Sequence, residues 1–227
     1  MKLINCDLGE CLTPDPDEAI MPLVDMANIA CGGHAGDQTS MERTIELAKQ
    51  HGVKVGAHPS YLDKANFGRV SHDISAEALF EIVLSQVTKF LALCQQQQVE
   101  MHYIKPHGAL YHDMMHKPEV LDVLCQVIKT INPSLDLVVQ AGLHHKQMAK
   151  TSAQTSIKFI YEAFADRGYQ GKQMIPRSET GALLKDAEEI VAQYRLFSQP
   201  HNFQIDTICF HSDHPPSKFA LQLINSG

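Results

Sequence analysis

The sequence of 227 residues contains no tryptophan, no C-x-x-C pair and no cluster of lysine or arginine. Its six cysteines are scattered, which in a chain of this length predicts reduced thiols of a cytoplasmic protein rather than a disulfide framework. A net charge of −7 without a basic cluster argues against nucleic acid or an anionic membrane surface as the main partner. No apolar run approaches the ~20 residues that span a bilayer. Residues 1–7 reach a carboxylate too early for a signal peptide.

Several signature motifs are also missing. The absence of G-x-S-x-G disfavours a serine nucleophile on a strand-to-helix turn. Neither G-x-x-x-x-G-K-[ST] nor G-x-G-x-x-G occurs, so the chain carries no recognisable nucleotide site of its own. The zinc-binding spacing H-x-x-E-H is absent as well.

The hydrophobic pattern, in contrast, is regular, with short apolar runs alternating with helical stretches. The predicted strands cover residues 2–6, 26–31, 54–57, 102–104, 135–140, 158–161 and 207–210. Helices are predicted from residues 39, 75, 118, 186 and 216, the second with apolar positions at helical spacing from 79 to 94. Such alternation predicts parallel strands joined by right-handed crossovers. We therefore expect a single α/β domain over residues 1–227, a seven-stranded TIM-barrel-like (β/α) barrel; a doubly wound open sheet is the alternative.

One stretch concentrates the chemistry, namely the run from Lys105 through Pro106, His107 and Gly108 to Tyr111. Pro106 removes a backbone donor and biases Lys105 toward an extended conformation. Gly108 permits a turn, or a close backbone approach to a ligand. The end of the fourth strand therefore projects a lysine, a histidine and a tyrosine into one small volume.

The same pattern recurs at the ends of most other predicted strands. In parallel α/β architectures, ligands sit at the carboxyl ends of the strands. The titratable residues expected there are Asp7, Glu10, His34, His58, Lys105, His107, Glu162, Asp166 and His211. This face of the barrel is the predicted site. The histidines at 112, 116, 144 and 145 fall on predicted polar loops or helix starts and are given no role.

Two chemistries fit such a face. Asp7, His34 and His58 could bind a divalent metal that activates water. Alternatively, Lys105, His107 and the carboxylates could perform metal-free acid–base catalysis on a carbonyl or amide. Arg69 and Arg167 could hold a carboxylate substrate, unless they only pair with Asp63 or Asp166.

Taken together, the motifs resemble the LamB/YcsF family of lactam utilization proteins, which supplies the A subunit of bacterial 5-oxoprolinase. The matching runs cover essentially the whole chain in order: 5–10, 27–32, 34–37, 56–59, 67–69, 105–111, 162–167 with Tyr169, 176–177, and 209 with His211 and Asp213. Three positions depart from the family pattern. Gly33 stands in place of Phe, Val70 in place of a second Arg, and Ser212 in place of Gly. The chain is also slightly short, mostly before its last strand.

The resemblance implies a barrel of the glycoside hydrolase/deacetylase type and ATP-dependent opening of 5-oxo-L-proline to L-glutamate with two partner subunits. ATP, with Mg as its usual companion, belongs to the assembled complex, and no metal is assigned to this chain. The expected catalytic residues are Asp7, His58, Lys105 and His107. The expected substrate-binding residues are Glu10, Asn28, His34, Arg69, Tyr111, Glu162, Asp166, Arg167, His211 and Asp213. The alternatives are a metal-dependent deacetylase of a carbohydrate-type substrate and a non-catalytic ligand-binding subunit.

Overall fold

The computed structural model describes residues 2–142 and 144–226. Seven parallel strands form a closed barrel in which neighbouring strands follow chain order. These strands are β1 (Leu3–Leu8), β2 (Met26–Ala30), β3 (Lys54–His58), β4 (Met101–Ile104), β5 (Asp136–Gln140), β6 (Phe159–Phe164) and β9 (Thr207–His211). The last strand closes the barrel by pairing with the first, with Asp7 opposite His211. The predicted barrel is confirmed, and the open-sheet alternative is wrong because β1 and β9 are hydrogen-bonded neighbours.

Helices surround the barrel, and a small antiparallel hairpin lies outside it. The helices are α1 (Asp17–Ile20), α2 (Gln38–His51), α3 (Ala76–Gln96), α4 (Gly108–His116), α5 (Pro118–Ile131), α6 (His145–Thr155), α7 (Ala187–Ser198) and α8 (Pro215–Asn225). The hairpin strands, which precede β9 in the chain, are β7 (Tyr169–Gln170) and β8 (Gln173–Met174). Of the helices within the described ranges, none is both long and apolar enough to cross a bilayer.

The main apolar core lies between the strands and the helices, and a second, smaller cluster lies apart from it. Met26, Tyr103 and Val138 form this second cluster. Alternate residues of a strand share a face. Asn28 therefore lies on the same face of β2 as Met26, and Lys105, just after β4, lies on the same face as Tyr103. The barrel interior therefore changes from apolar to polar toward the carboxyl ends of the strands.

A glycine makes room for the aromatic ring of this interior cluster. A Cβ atom at Gly56 would lie 2.1 Å from the ring of Tyr103. The Tyr103 hydroxyl donates to Oδ1 of Asn28 at 2.8 Å. This hydrogen bond connects the apolar interior cluster to the polar side chains nearer the carboxyl ends of the strands.

The five predicted helices are present, and each begins within one residue of its predicted start. Ser75 caps α3 by accepting from the Ala78 N–H, and Gly52 ends α2 with a φ of +67°. Helix α2, predicted from residue 39, begins at Gln38 and has Asp37 as its cap. The Asp37 carboxylate accepts from the Ser40 N–H, and the Asp37 N–H donates to the Ser40 hydroxyl.

Three helices (α1, α4 and α6) and the hairpin were not predicted. Helix α4 begins inside the motif that starts at Lys105, where Gly108 is the first helical residue. Helix α6 has Met148 as its only buried residue among those described, so it lacks an apolar stripe that periodicity could detect. Strand β6 also continues to Phe164, which places Glu162 within the barrel wall rather than after it.

Candidate active site

A pocket of about 450 Å³ opens at the carboxyl ends of the strands. This is the face on which the site was predicted, and the volume is in the range of small-molecule sites. The predicted residues that line it are Asp7, Glu10, His58, Arg69, Lys105, His107, Tyr111, Arg167, His211 and Asp213. All four residues expected to be catalytic are therefore on its wall.

Lys105 is the buried cation at the base of this pocket. Its Nζ atom lies 2.9 Å from Oδ1 of Asp7, 2.8 Å from Oε1 of Glu162 and 3.1 Å from Sγ of Cys209. Burial acts to lower the pKa of Lys105, but the facing carboxylates and the sulfur outweigh burial and raise this pKa well above its usual value. Lys105 is therefore a fixed positive charge and not a proton acceptor.

The two carboxylate oxygens of Asp7 have different neighbours: Oδ1 accepts hydrogen bonds, and Oδ2 lies near two imidazole rings. Oδ1 accepts from Nδ2 of Asn28 at 2.8 Å as well as from Lys105. Oδ2 lies 3.4 Å from Nε2 of His58 and 4.0 Å from Nε2 of His211. Burial acts to raise the pKa of Asp7, but His58 and Lys105 outweigh it and hold this pKa well below its usual value. Asp7 is therefore an ionised acceptor.

The Glu162 carboxylate and the Tyr111 hydroxyl are buried polar groups with few partners among the described residues. Apart from the ion pair with Lys105, neither carboxylate oxygen of Glu162 has a hydrogen-bond partner within the described part of the chain. The Tyr111 hydroxyl likewise has none there. Burial, together with the charge of Glu162, raises the pKa of Tyr111 well above its usual value. Since buried polar groups are normally satisfied, the neutral Tyr111 hydroxyl on the pocket wall is a natural contact for a ligand.

The rings of His58 and His107 are neighbours in the pocket wall. Nδ1 of His58 lies 2.7 Å from the carbonyl oxygen of Lys105, and Nε2 of His107 lies 3.0 Å from the carbonyl oxygen of Phe67. A carbonyl only accepts, so these two nitrogens carry the protons. The remaining nitrogens, Nε2 of His58 and Nδ1 of His107, are 2.9 Å apart. Burial, with His34 and His58 nearby, lowers the pKa of His107 well below its usual value.

Glu10 and His34 lie next to this imidazole pair. Nε2 of His34 is 3.3 Å from Oε1 of Glu10, and the His34 ring stacks in parallel on His107 at 3.6 Å. Burial, together with Asp7 and Asp213, raises the pKa of Glu10 well above its usual value. Burial and His58 lower the pKa of His34 to about 2. His34 is therefore a neutral ring behind His107.

Asp166 and His211 form a second carboxylate–imidazole pair. Nδ1 of His211 lies 2.8 Å from Oδ1 of Asp166, whose other oxygen accepts from the His211 main chain and from Ser217. Burial acts to raise the pKa of Asp166, but His211 outweighs it and lowers this pKa to about 2. Burial acts in turn to lower the pKa of His211, but Asp166 raises it above its usual value. Asp166 thus orients His211, whose Nε2 faces Asp7.

Arg69 does not stand alone at the pocket mouth. It pairs with Asp213, and Arg177 lies 3.7 Å from the same carboxylate oxygen. Arg177 was missed as a site residue, although the run at 176–177 belongs to the matching motifs. Val70, which replaces a second arginine, is exposed on the surface. Arg69 and Arg177 therefore both lie beside Asp213, and Val70 has no part in this pairing.

Arg167 has a mainly structural position. Its Nε donates to the carbonyl of Ala182 at 2.9 Å, and its NH2 group donates to the carbonyl of Ile175 at 2.8 Å. These bonds hold the segment after the β7–β8 hairpin over the pocket. The alternative prediction, that these arginines only pair with Asp63 or Asp166, is wrong. Arg69 pairs with Asp213, and Arg167 donates to main-chain carbonyls.

Four residues expected to bind substrate lie behind the pocket wall instead. Asn28, His34, Glu162 and Asp166 are buried and are not among the lining residues. They contact Asp7, Glu10, Lys105 and His211, respectively. Their positions correct the expectation of direct contact, because each one orients or charges a residue that does line the pocket.

The remaining two departures from the family pattern lie near the site. A Cβ atom at Gly33 would lie 2.4 Å from Oε1 of Gln86 and 2.5 Å from Oγ of Ser60, so Gln86 takes up the space beside this glycine. Ser212 is buried, and its hydroxyl has no hydrogen-bond partner in the described residues.

A group of rim histidines was also missed. His112, His116 and His144 line the outer pocket, with the His112 and His116 rings stacked at 4.1 Å. Their H-x-x-x-H spacing on α4 would have brought the first two together had the helix been recognised.

The side chains that could hold a metal ion fall into two groups within the described ranges. One group is Glu10, His34, His58 and His107, and the other is Asp7, Cys209 and His211. The predicted metal set of Asp7, His34 and His58 is thus divided between them, and His107 joins the first.

Comparison with known proteins gives one consistent result. The LamB/YcsF family matches residues 3–226. A Vibrio cholerae protein named as the A subunit of 5-oxoprolinase is 39% identical over 226 residues, which cover 93% of this chain and 91% of that one. Its namesake from Pseudomonas fluorescens is 36% identical, covering 98% and 94%. The crystal structure of the lactam utilization protein from Thermus thermophilus superposes with a TM-score of 0.86 at 32% identity, covering 100% and 98%.

Proposed function

Because the chain belongs to the LamB/YcsF family, we propose that it is the barrel subunit of an ATP-dependent 5-oxoprolinase. In this proposal it opens the lactam of 5-oxo-L-proline to L-glutamate together with two partner subunits. The names of its relatives in Vibrio and Pseudomonas support a 5-oxoprolinase-related hydrolase and a multi-subunit complex.

The chemistry of the substrate accounts for the need for ATP. A lactam is a resonance-stabilised amide, and opening it is unfavourable enough to require coupling. Transfer of the γ-phosphoryl group to the lactam oxygen releases ADP and activates the ring carbon. One water then adds to that carbon, the C–N bond breaks and the nitrogen leaves as the protonated amine. A second water hydrolyses the resulting acyl phosphate, so each turnover consumes one ATP and two waters and yields glutamate, ADP and phosphate.

The observation that carries the proposal is the pair of opposite charges at the base of the pocket. Oδ2 of Asp7 is free of the Lys105 contact, so it is placed to accept a proton from water. Lys105, fixed as a cation, balances negative charge that develops on the substrate oxygen or its phosphoryl group. His211, oriented by Asp166, is placed to protonate the leaving nitrogen.

The pocket mouth suits the carboxylate of 5-oxo-L-proline. Arg69 and Arg177 share a single acidic partner, Asp213, so positive charge remains for an anionic ligand. The chain has no phosphate-binding motif, and we therefore assign ATP and its Mg to the assembled complex rather than to this subunit. All six cysteines are described and none is paired, which supports a cytoplasmic location.

The test is glutamate release from 5-oxo-L-proline with ATP, comparing the purified chain alone with the chain plus its two partner subunits. We expect release only from the mixture. If the mixture releases no glutamate although each subunit is folded, the result contradicts the proposal. A screen of acetylated substrates then distinguishes a deacetylase from a ligand-binding subunit.

A further inference from the structure

We propose that the chain binds one divalent transition-metal ion through Nε2 of His58 and Nδ1 of His107, with the carboxylate of Glu10 as a third ligand. This goes beyond the proposed function, which assigns no metal to this subunit. It also stands apart from it, because metal binding is measured on this chain without turnover.

The two facing nitrogens are the first requirement for such a site. The other nitrogen of each ring is committed to a main-chain carbonyl, at 2.7 Å for His58 and 3.0 Å for His107. With one proton on each ring, the two facing nitrogens present lone pairs to each other at 2.9 Å. Two lone pairs at this separation repel unless a positive species lies between or in front of them. Both rings are buried, and desolvation disfavours a protonated imidazole. A metal ion satisfies both nitrogens at once.

Carboxylate oxygens flank the same point. Oδ2 of Asp7 lies 3.4 Å from Nε2 of His58, and Oε1 of Glu10 lies 3.8 Å from Nδ1 of His107. With metal–ligand bonds of ~2.1 Å, neighbouring ligands of a tetrahedral ion lie about 3.4 Å apart. The separations from Nδ1 of His107 to Nε2 of His58 and to Oε1 of Glu10, 2.9 and 3.8 Å, bracket this value.

The surrounding groups also fit a metal centre. Oε1 of Glu10 lies 3.3 Å from Nε2 of His34, which orients the carboxylate as outer partners of metal ligands do. Two imidazoles with carboxylates suit Zn²⁺, Fe²⁺ or Ni²⁺, whereas Mg²⁺ and Ca²⁺ prefer oxygen alone. An ion there would supply Lewis-acid chemistry on the pocket wall beside Asp7.

The second candidate group does not compete for the ion. Asp7, Cys209 and His211 also cluster, but the ammonium of Lys105 lies 2.9 Å from Oδ1 of Asp7 and 3.1 Å from Sγ of Cys209. A fixed cation already occupies that space, so repulsion would exclude a divalent ion from it.

The experiment is metal analysis of the full chain, stripped with chelator and dialysed against Zn²⁺ or Co²⁺. We expect about one ion per chain and, from X-ray absorption of the Zn²⁺ form, two imidazole nitrogens with carboxylate oxygens. A stoichiometry near zero overturns the proposal, and so does a bound ion that has no pair of imidazole ligands. Neither of these readouts depends on a variant folding.

Variants then locate the ion. His107→Gln and Glu10→Gln, checked for fold by circular dichroism, should each weaken Zn²⁺ binding at least ~10-fold. His116→Gln, in the rim group on α4, should bind as the wild type does. Loss of the ion in His116→Gln with retention in His107→Gln would assign the metal to the rim and overturn the proposal. If His107→Gln does not fold, Glu10→Gln and the absorption spectrum decide. A silent lactamase mixture leaves this result unaffected.

Discussion

Nζ of Lys105 lies 2.9 Å from Oδ1 of Asp7, although β4 and β1 are separated by two other strands of the barrel order. The same ammonium lies 2.8 Å from Oε1 of Glu162 on β6. One buried cation therefore joins three strands across the barrel interior. Removing one member of such a set leaves uncompensated buried charge.

Substitution of this lysine should be costly. We expect Lys105→Met to lower the free energy of unfolding by about 3–5 kcal/mol, since Asp7 and Glu162 lose their cation. Adding Glu162→Gln should recover part of the loss, because the second carboxylate is neutralised. Urea unfolding of the single and double variants measures both effects.

The matched control is Lys158→Met, which removes an exposed pair with Asp136. It should cost no more than about 1 kcal/mol. Equal losses from the buried and exposed lysines would show that Lys105 is not held as described.

Gly108 should be intolerant of a side chain. It has a φ of +53°, and a Cβ atom there would lie 2.5 Å from the carbonyl oxygen of Gly68. Gly52 also has a positive φ, of +67°, but a Cβ atom there meets nothing within 4 Å. Both alanine variants carry the backbone strain of about 1 kcal/mol, so the further loss in Gly108→Ala measures the clash. Thermal unfolding that ranks Gly52→Ala as equal or worse would contradict this.

The sequence allowed the barrel and its active face to be predicted because both depend on local patterns. Short buried strands and the polar groups that end them are visible in the chain. The local pattern does not show which of these groups a ligand can reach, because that depends on strand register. Asn28 and Glu162, for example, lie inside strands and are not among the residues that line the pocket.

Pairings between distant segments were equally beyond the local pattern. Arg177 joins Arg69 only because the loop after β8 folds over the mouth, where both reach Asp213. The opposed tautomers of His58 and His107 depend on two main-chain carbonyls, of Lys105 and Phe67, that no motif encodes.

The Asp166–His211 pair should make stability depend on pH. The pKa of Asp166 is lowered to about 2 in the folded chain, so the folded state favours the carboxylate. Its contribution, about 2 kcal/mol, is present above about pH 4 and is lost as the pH falls through about 2. The difference in unfolding free energy between wild type and Asp166→Asn should therefore narrow between pH 5 and pH 2. Asp122→Asn, on the exposed side of α5, controls for removal of one carboxylate. A difference that stays constant with pH would refute the pairing.

The arginines at the mouth should act on binding more than on turnover. In the assembled enzyme, Arg69→Gln and Arg177→Gln should each raise KM for 5-oxo-L-proline about 10-fold or more, with a smaller change in kcat, because they hold a part of the substrate that does not react. Arg195→Gln, at an exposed position near the end of α7, is the control. An unchanged KM in both mouth variants would show that the carboxylate of 5-oxo-L-proline does not bind at Arg69 and Arg177.

The central claim is that this subunit contributes its strand-end residues to lactam opening, and glutamate release by the assembled enzyme carrying Asp7→Asn tests it most directly. Asparagine keeps the shape of Asp7 but cannot accept the proton of an attacking water. We predict a loss of at least ~100-fold in kcat, with Asp122→Asn retaining wild-type activity. Full activity in Asp7→Asn, with the subunits assembled, would contradict the account.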